Sequence, residues 1–327
     1  MAKLTVPKGI KENLEKKQYG VFNHSAVQVC HWNKVSIRGK GECYKKKFYG
    51  IHTHKCLQMS PVCMWCEQNC TFCWRPMEYM QKKRITVDEV DEPEIIINEL
   101  IEKRKQLLIG FKGNDAVDKE KYFDAVLPDH YAISLSGEPT MYPLLPEMIK
   151  YLKEERMAKS VFVVSNGIEP NFFARLKGDM SFCPTQLYVS LVAYDEESYI
   201  KINRPNVEDG WQRLNESLQI FKNLECRRVF RVTVIKGINS DEKSICGFAK
   251  IINEVRPDFI ELKSYMHLGM SRERLSEDNM LMPEEICDFE KKLLKHLDGY
   301  NHENECKESI LVLLKRDDSK FKTKILE

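Results

Sequence analysis

The 327-residue chain has few of the features that would take it out of the ordinary globular class. No apolar run approaches the roughly eighteen residues that a membrane-spanning helix needs. Its start, MAKLTVPKGIKENLEKK, lacks the apolar core of a secretory signal peptide. There is no internal repeat, low-complexity block or long linker. We therefore expect a cytoplasmic protein with one large domain, some additions to it and no membrane partner.

A structural zinc site needs four closed ligands and usually offers paired C-x2-C halves, but the twelve cysteines do not point to such a site once Cys63 is assigned to a strand. Instead, Cys66, Cys70 and Cys73 are spaced C-x3-C-x2-C after a predicted strand, without a fourth partner. Three thiolates on a four-iron cluster leave one iron without a protein ligand, which is a position where a substrate can bind and react. Cys63 falls within the predicted strand, and we interpret it as a small buried hydrophobic residue.

A second group of three cysteines lies upstream, where Cys30, Cys43 and Cys56 have twelve residues between each neighbouring pair. This spacing matches no zinc finger, and buried free cysteines are one interpretation. Another three-ligand cluster with an open iron is the second interpretation. A zinc site that includes His52 and His54 is the third. The remaining cysteines occur singly, and we expect structural roles for them: Cys183, Cys226, Cys246, Cys287 and Cys306.

Positive charge is concentrated at the beginning of the chain. Residues 1–56 carry twelve Lys and Arg against three Glu, whereas the net charge of the whole chain is only +2. This asymmetry indicates a polyanionic partner such as RNA, with a solvated lysine surface as the alternative. Lys45, Lys46 and Lys47 follow Cys43 directly. They form either a solvated basic loop or a site where one amine engages a carbonyl substrate.

Apolar runs and amphipathic stretches alternate six times from residue 57 onwards, which predicts an α/β fold with a parallel sheet. A βα barrel and a doubly wound sheet both fit this pattern. Residues 1–56 indicate a helix followed by irregular loops, and the chain beyond residue 282 indicates a helix and a short strand. Small polar residues end several strands, where they either line a ligand or form turns: Ser134, Ser136, Ser165, Asn166, Ser190 and Thr233.

The C-x3-C-x2-C motif after a first strand resembles the radical S-adenosylmethionine (SAM) superfamily, whose cluster binds SAM through its amino and carboxylate groups at the open iron. SLSGEPTMYP resembles that superfamily's Gly-Gly-Glu-Pro motif, with Ser136 in place of the first glycine. The resemblance implies that Phe72 lies by the adenine and that Gly137 and Glu138 hold the methionine amino group. We also expect strand-end residues to contact SAM, namely Ser165, Asn166 and Ser190.

A narrower resemblance covers about residues 20–280. CMWCEQNCTFCWRP, CYKKKFYGIHTHKCLQMSP, KINRP and ELKSYMHLGMSRERL together resemble the tRNA 4-demethylwyosine synthase family, in its archaeal form without a flavodoxin-like domain. The implied fold is a partial (βα)6 radical SAM barrel with an N-terminal cluster-binding extension and a small C-terminal α/β extension. The expected boundaries are 1–56, 57–270 and 271–327.

The implied reaction joins N1-methylguanosine at position 37 of phenylalanine tRNA to pyruvate. The resemblance implies two [4Fe-4S] clusters, SAM, and an external electron donor such as a flavodoxin or ferredoxin. Cys30, Cys43 and Cys56 would hold the pyruvate-binding cluster, and Lys45 would form an imine with pyruvate or only position its ketone. We expect a monomer.

RNA contacts are expected around the first cluster, from Arg75, Lys82, Lys83 and Arg84. Candidate stacking surfaces for an extruded base are Trp32, Trp74, Tyr44 and Tyr49, with core packing as the alternative for most of them. Two rival functions remain open at this point. The first is another radical SAM RNA-modifying or activating enzyme, and the second is a non-catalytic, zinc-stabilised RNA-binding protein.

Overall fold

The computed structural model describes residues 3–326. The helices are α1 (Lys8–Lys16), α2 (His31–Ile37), α3 (Tyr44–Tyr49), α4 (Pro93–Lys112), α5 (Lys119–Val126), α6 (Leu145–Glu154), α7 (Pro170–Gly178), α8 (Glu196–Asn203), α9 (Gly210–Phe221), α10 (Glu242–Val255) and α11 (Pro283–Leu294). The strands are β1 (Tyr19–Phe22), β2 (Ser25–Gln28), β3 (Cys56–Ser60), β4 (His130–Ile133), β5 (Ser160–Ser165), β6 (Gln186–Leu191), β7 (Arg227–Val234), β8 (Phe259–Ser264), β9 (Tyr300–Cys306) and β10 (Leu311–Arg316). None of these helices is long and apolar enough to span a bilayer.

All ten strands belong to one sheet, in the order β1-β2-β3-β4-β5-β6-β7-β8-β10-β9. Neighbours from β3 to β8 are parallel, and helices lie in the crossovers between them. β1, β2, β9 and β10 extend the two ends in antiparallel fashion. The predicted α/β fold with a six-stranded parallel core is therefore confirmed. The domain boundaries that the sequence suggests stay a prediction.

The pleat of the parallel strands separates two kinds of surface, because successive side chains point to opposite faces. One face carries aliphatic side chains, among them Leu57, Ile133 and Val163, and packs against helices such as α4 and α6 in the main hydrophobic core. The other face, which we call the inner face, carries Cys56, Phe162, Tyr188, Arg231 and Glu261. The inner face is therefore much more polar than the face that packs against the helices.

The short helix α3 covers part of the inner face. Phe48 and Tyr49 of α3 form a separate buried cluster with Phe162, Tyr188 and Phe259 of the strands. Gly50 ends α3 with a φ of +78°, and a Cβ there would lie 2.3 Å from the Leu326 carbonyl oxygen. Only glycine fits this close approach without strain. The N-terminal segment is thus packed into the sheet rather than attached beside it.

A buried carboxylate fastens α3 to the sheet. Glu261 accepts hydrogen bonds from Tyr49 (2.7 Å) and Tyr188 (3.1 Å) at one oxygen. Its other oxygen accepts from the Arg231 guanidinium (2.6 and 3.0 Å) and from Tyr44 (3.4 Å). Burial raises the pKa of Glu261, but Arg231 and these donors outweigh burial and hold it below its ordinary value. The carboxylate is therefore charged and paired at neutral pH.

Both ends of the chain differ from the expectation. The sequence indicated irregular loops after α1, but the hairpin of β1 and β2 and the helices α2 and α3 form there. β9 was also missed, because its sequence YNHENEC is polar at most positions, as an edge strand can be. Cys63 lies beyond the end of β3 rather than within it, although it is fully buried as expected.

Replacing Glu261 by Ala should destabilise the fold because it leaves the Arg231 guanidinium buried without its carboxylate. Loss of one partner of a buried ion pair costs about 3–5 kcal/mol, which lowers the midpoint of thermal unfolding by roughly 4–8 °C in a chain of this size. Circular dichroism during heating measures the midpoint. The exposed Glu208→Ala is the matched control and should change it little. Equal midpoints for the two variants would contradict the assigned role of Glu261.

Candidate active site

The C-x3-C-x2-C loop follows β3 and is held by segments that are distant in sequence. The Thr71 amide donates to the Ile202 carbonyl oxygen (2.9 Å). Arg274 donates to the Thr71 carbonyl oxygen (3.1 Å) and to the Cys73 carbonyl oxygen. Because these partners come from the KINRP and SRERL stretches, the loop conformation depends on both.

An amide group faces the sulfur of Cys70. Asn203 Nδ2 lies 3.8 Å from Cys70 Sγ and donates to Gln68 Oε1 at 3.1 Å. Gln68 Nε2 in turn donates to the Tyr199 hydroxyl at 2.9 Å. Hydrogen bonds to sulfur ligands influence the potential of an iron–sulfur cluster. The sequence analysis did not single out Asn203 or Arg274, although both lie in stretches that carried the family resemblance.

The first trio, Cys66, Cys70 and Cys73, suits a cluster better than a single ion. Burial raises the pKa of all three thiols, and their neighbouring thiols raise those of Cys66 and Cys70 further. Within residues 3–326, neither this trio nor the upstream one forms a group whose sulfur atoms all lie within 4.8 Å of one another. A zinc ion needs such convergence, whereas a cube binds each thiolate at a different iron.

The chain after β4 passes directly against the beginning of this loop. Gly137 has a φ of +71°, and a Cβ there would lie 2.2 Å from the Val62 carbonyl oxygen. The next residue, Glu138, donates its amide to the Trp65 carbonyl oxygen at 2.7 Å. Glycine is required here for both its backbone conformation and its lack of a side chain. The two predicted motifs are therefore in contact.

The Glu138 carboxylate is buried in a ring of donors. It accepts from the Asn166 amide (2.8 Å) and from the amide and hydroxyl of Thr140 (3.2 and 2.7 Å). Burial raises its pKa, and these donors and Ser165 oppose that effect. Ser136 Oγ and Asn166 Nδ2 are buried without a partner within the described chain. Unpaired buried polar atoms beside a carboxylate fit the amino-acid end of SAM.

The other two predicted SAM contacts lie further along the sheet. Phe72 packs against the buried cluster that contains Val192 and Tyr265, next to a cavity described below. Ser190 is half-buried near the end of β6 and is in register with Arg231 of β7. The structure thus brings Ser136, Gly137, Glu138, Ser165 and Asn166 together, with Phe72 and Ser190 outside that group.

The second trio lies at the beginnings of two helices and one strand and consists of Cys30, Cys43 and Cys56. Cys30 is the N-cap of α2, where its sulfur accepts from the Asn33 amide at 3.4 Å. Cys43 is the N-cap of α3, and its amide donates to Thr53 Oγ1 at 3.1 Å. Cys56 begins β3. Sequence spacing gave no sign of these caps.

A fully buried arginine binds the backbone next to the second trio. Arg104 of α4 donates to the His54 carbonyl oxygen (2.7 Å), to the Ala125 carbonyl oxygen (3.0 Å) and towards Asn33 Oδ1 (3.4 Å). Burial lowers its pKa, while Cys56 and Cys30 raise it. Arg104 therefore fixes the backbone just before Cys56 and adds positive charge there. The sequence analysis missed it, since a lone arginine in a helix carries no signal.

Lys45 lies beside the second trio. Burial raises the pKa of Cys43 to about 12 and that of Cys56 to about 11, and the Lys45 ammonium opposes both shifts. The half-buried Lys45 extends over the Phe162 ring, with Nζ 4.2 Å from the ring centroid. Its neighbours Lys46 and Lys47 are exposed. Of the three lysines, only Lys45 points towards the inner face.

A cavity of about 330 Å³ lies between elements of the two trios. Phe72 and Trp74 line it from the first loop, and Trp32 lines it from α2. Arg231, Lys263 and Glu308 also line it, and burial lowers the pKa of Lys263 to about 8. Arg231 is already paired with Glu261, so the aromatic walls are the feature that suits a planar ligand such as a nucleotide base.

The predicted RNA contacts divide into two kinds. Three of them are exposed, namely Lys82, Lys83 and Arg84. Arg75 differs from the expectation, because only 6% of its surface is exposed and its guanidinium lies 3.7 Å from the Trp74 ring centroid. It also donates to the Tyr19 hydroxyl. Arg75 therefore joins the first loop to β1 and offers no surface to a phosphate.

His52 and His54, the candidate zinc ligands of the sequence analysis, contact other side chains. His54 Nε2 lies 3.5 Å from the Asp124 carboxylate, and His52 stacks on His130 with ring centroids 6.0 Å apart.

Two of the four candidate stacking residues have a structural role. Tyr44 and Tyr49 point their hydroxyls at Glu261, which leaves Trp32 and Trp74 as the stacking candidates at the cavity.

Comparison with known proteins shows which family this chain is similar to. Residues 60–249 match the Radical SAM superfamily, and residues 254–316 match the family described as wyosine base formation. An S-adenosyl-L-methionine-dependent tRNA 4-demethylwyosine synthase of Pyrococcus horikoshii is 43% identical over 96% of this chain and 90% of its own. That of Methanocaldococcus jannaschii is 37% identical over 98% and 100%.

A solved structure described as "Structure of TYW1 with a lysine-pyruvate adduct bound" superimposes with a TM-score of 0.85 at 36% identity, covering 98% of this chain and 99% of that one. The chain belongs to the tRNA 4-demethylwyosine synthase family. The predicted family and the predicted class of radical SAM enzyme are thereby confirmed, and the non-catalytic alternative is set aside. Membership of this superfamily implies SAM and one four-iron cluster as cofactors.

Replacing Gly137 by Ala should disturb the first trio and the SAM site together. A non-glycine residue at this φ costs about 1–3 kcal/mol, and relief of the clash with Val62 must shift Glu138. We expect SAM binding to the enzyme with its cluster to weaken roughly tenfold or more, measured by equilibrium dialysis. Gly178→Ala, where a Cβ meets nothing within 4 Å, is the matched control. Unchanged SAM affinity in Gly137→Ala would contradict this assignment.

Proposed function

We propose that this chain condenses N1-methylguanosine at position 37 of phenylalanine tRNA with pyruvate to form 4-demethylwyosine. Two findings support the proposal from outside the chain: the names of the family members, and the lysine–pyruvate adduct in the superimposed structure. Within the chain, the support is a half-buried lysine beside a second cysteine trio, with a cavity between the two trios. The position of Lys45 is the observation on which the proposal rests.

The first trio would hold the cluster to which SAM binds. Together with SAM, this cluster would supply the one-electron chemistry needed to break a C–H bond of the N-methyl group, which is far too weakly acidic for a protein base. Glu138 would pair with the SAM ammonium, and Ser136 and Asn166 would satisfy its remaining polar groups. Gly137 brings the chain close enough for these contacts.

The second trio would hold a second four-iron cluster that binds pyruvate. Each trio has a charged group beside it that suits its proposed ligand. The Glu138 carboxylate acts on Cys66 and Cys70 and suits the ammonium of SAM, while Arg75 and Arg274 act on Cys73. The cations Lys45 and Arg104 act on the second trio, which suits a carboxylate ligand. The sequence alone does not make this distinction.

Lys45 would engage the pyruvate ketone, either as an imine or by orienting it. Its ammonium lies over the Phe162 ring, and Cys43 lies two residues before it. A primary amine held beside a carbonyl group is the requirement for imine formation. The rigid inner-face cluster beneath α3 fixes the position of the lysine.

The extruded base of the tRNA would lie in the cavity between Trp32 and Trp74, and the exposed Lys82 and Arg84, which line a different pocket, would contact phosphates elsewhere on the RNA. Arg231 and Lys263 would then face the nucleotide. We further propose that the chain works as a monomer in the cytoplasm and receives electrons from a flavodoxin or ferredoxin.

Removing one cysteine from each trio should affect SAM cleavage and product formation differently. Cys70→Ala should abolish SAM cleavage, because a ligand of the SAM-binding cluster is lost. Cys43→Ala should retain some uncoupled SAM cleavage while no tricyclic nucleoside forms. Anaerobically purified wild type should contain about eight iron and eight sulfide per chain, and each variant about four. Full product from Cys43→Ala, or about four iron in the wild type, would overturn the second cluster.

Lys45→Ala should reduce product formation by roughly a hundredfold while the iron content stays unchanged, because the ketone loses the amine that would bind or orient it and misplacement of a reacting group costs about 10²-fold. The assay contains N1-methylguanosine tRNA, SAM, pyruvate and dithionite. Lys46→Ala, one residue away and exposed, is the control and should remain active. Borohydride reduction should trap pyruvate on Lys45 if an imine forms. A normal rate for Lys45→Ala would contradict this role and show that Lys45 belongs to a solvated basic loop.

One rival function remains, another radical SAM enzyme that modifies RNA. It requires turnover of SAM and tRNA with a carbon or sulfur donor other than pyruvate. The same assay with the donor varied distinguishes the two functions.

A further inference from the structure

Three side chains with metal-binding chemistry meet on the surface, outside both cysteine trios. Glu242 and Cys246 lie on α10, and His296 follows the end of α11. His296 Nε2 is 3.3 Å from Glu242 Oε1 and 4.0 Å from Cys246 Sγ, and all three ligand atoms lie within 4.8 Å of one another. We propose that Glu242, Cys246 and His296 bind a zinc ion, with water in the fourth position.

The backbone supports this convergence. Residues four apart on a helix lie on one face, so α10 presents Glu242 and Cys246 side by side. His296 is tied to the same helix through Asn253, which donates to the His296 carbonyl oxygen (2.9 Å) and accepts from the Asp298 amide (3.1 Å). These hydrogen bonds hold the backbone of His296 beside α10 without a metal.

The separations fit a small tetrahedral ion. Zinc bonds of about 2.0–2.3 Å to nitrogen, oxygen and sulfur place neighbouring ligand atoms roughly 3.3–3.6 Å apart. The carboxylate–imidazole separation of 3.3 Å already meets this, whereas the thiol, 4.0 Å from the imidazole and within 4.8 Å of the carboxylate, needs to move closer. All three side chains are exposed, so that movement is unhindered. A thiolate with an imidazole favours zinc over magnesium or calcium, which prefer oxygen ligands.

The site differs in kind from the two trios. It has one thiol rather than three, it is exposed, and its ligands converge on a single point. Three protein ligands leave one position for water, so the bound ion exchanges more readily than one in a closed four-ligand site. Its effect would be to link α10 with the segment between α11 and β9. Bound zinc would therefore stabilise the C-terminal part of the fold.

The test uses the complete protein with its iron–sulfur clusters assembled, so that the cluster thiols are occupied. The probe is zinc sulfate, with zinc and iron counted after equilibrium dialysis and the zinc environment read by X-ray absorption. We expect one zinc per chain, with one sulfur and at least one imidazole nitrogen in its shell. Cys246→Ser and His296→Asn should each weaken zinc binding roughly tenfold or more, without change in iron content.

Cys287→Ser is the matched control, because Cys287 lies on the neighbouring helix α11 outside the proposed site. It should bind zinc as the wild type does. The proposal is overturned if the wild type retains no zinc beyond the background of a buffer blank. It is also overturned if Cys246→Ser and His296→Asn retain zinc as tightly as Cys287→Ser, or if the zinc shell contains no sulfur. Each result is independent of the proposed tRNA chemistry.

Discussion

The Glu261 carboxylate is the buried charge around which the inner face is organised. A polar face inside a protein is stable only where its groups are paired, because each unpaired charge loses its hydration. Glu261 pairs Arg231 of the neighbouring strand with the hydroxyls of Tyr44 and Tyr49 at either end of α3. These contacts fix a six-residue helix that has little stability of its own. The positions of Cys43 and Lys45 follow from it.

The first trio depends on the fold in a different way. Its loop has no regular structure between β3 and the following turn, and its carbonyl and amide groups are satisfied by residues more than 130 positions away, such as Ile202 and Arg274. Gly137 then fills the remaining space with backbone alone. The cluster site is therefore completed only when the last parallel strands are in place. Catalytic geometry and overall folding are coupled through these contacts.

Local patterns of sequence predicted what depends on periodicity: six parallel strands, their crossover helices and the glycine–glutamate turn at the end of β4. They did not predict what depends on distant partners. Arg75 looked like a surface cation because it follows the cysteine motif and precedes Lys82, Lys83 and Arg84, but Trp74 and Tyr19 bury it. The polar strand β9 carries no alternation, so only its pairing with β10 reveals it. Arg104 had no local signal, and nothing in the KINRP stretch marks the contact of Asn203 with Cys70.

The protonation state of the buried thiols affects how the chain folds before its clusters are assembled. Burial raises the pKa of Cys43 and Cys56, and of each thiol of the first trio, well above neutrality. These thiols are therefore uncharged at pH 7 in the absence of iron, and their burial resembles that of small hydrophobic residues. Iron binding then displaces the protons, because only the cation compensates a buried thiolate. The same low polarity that permits folding of the cluster-free chain makes assembly of the clusters a proton-releasing step.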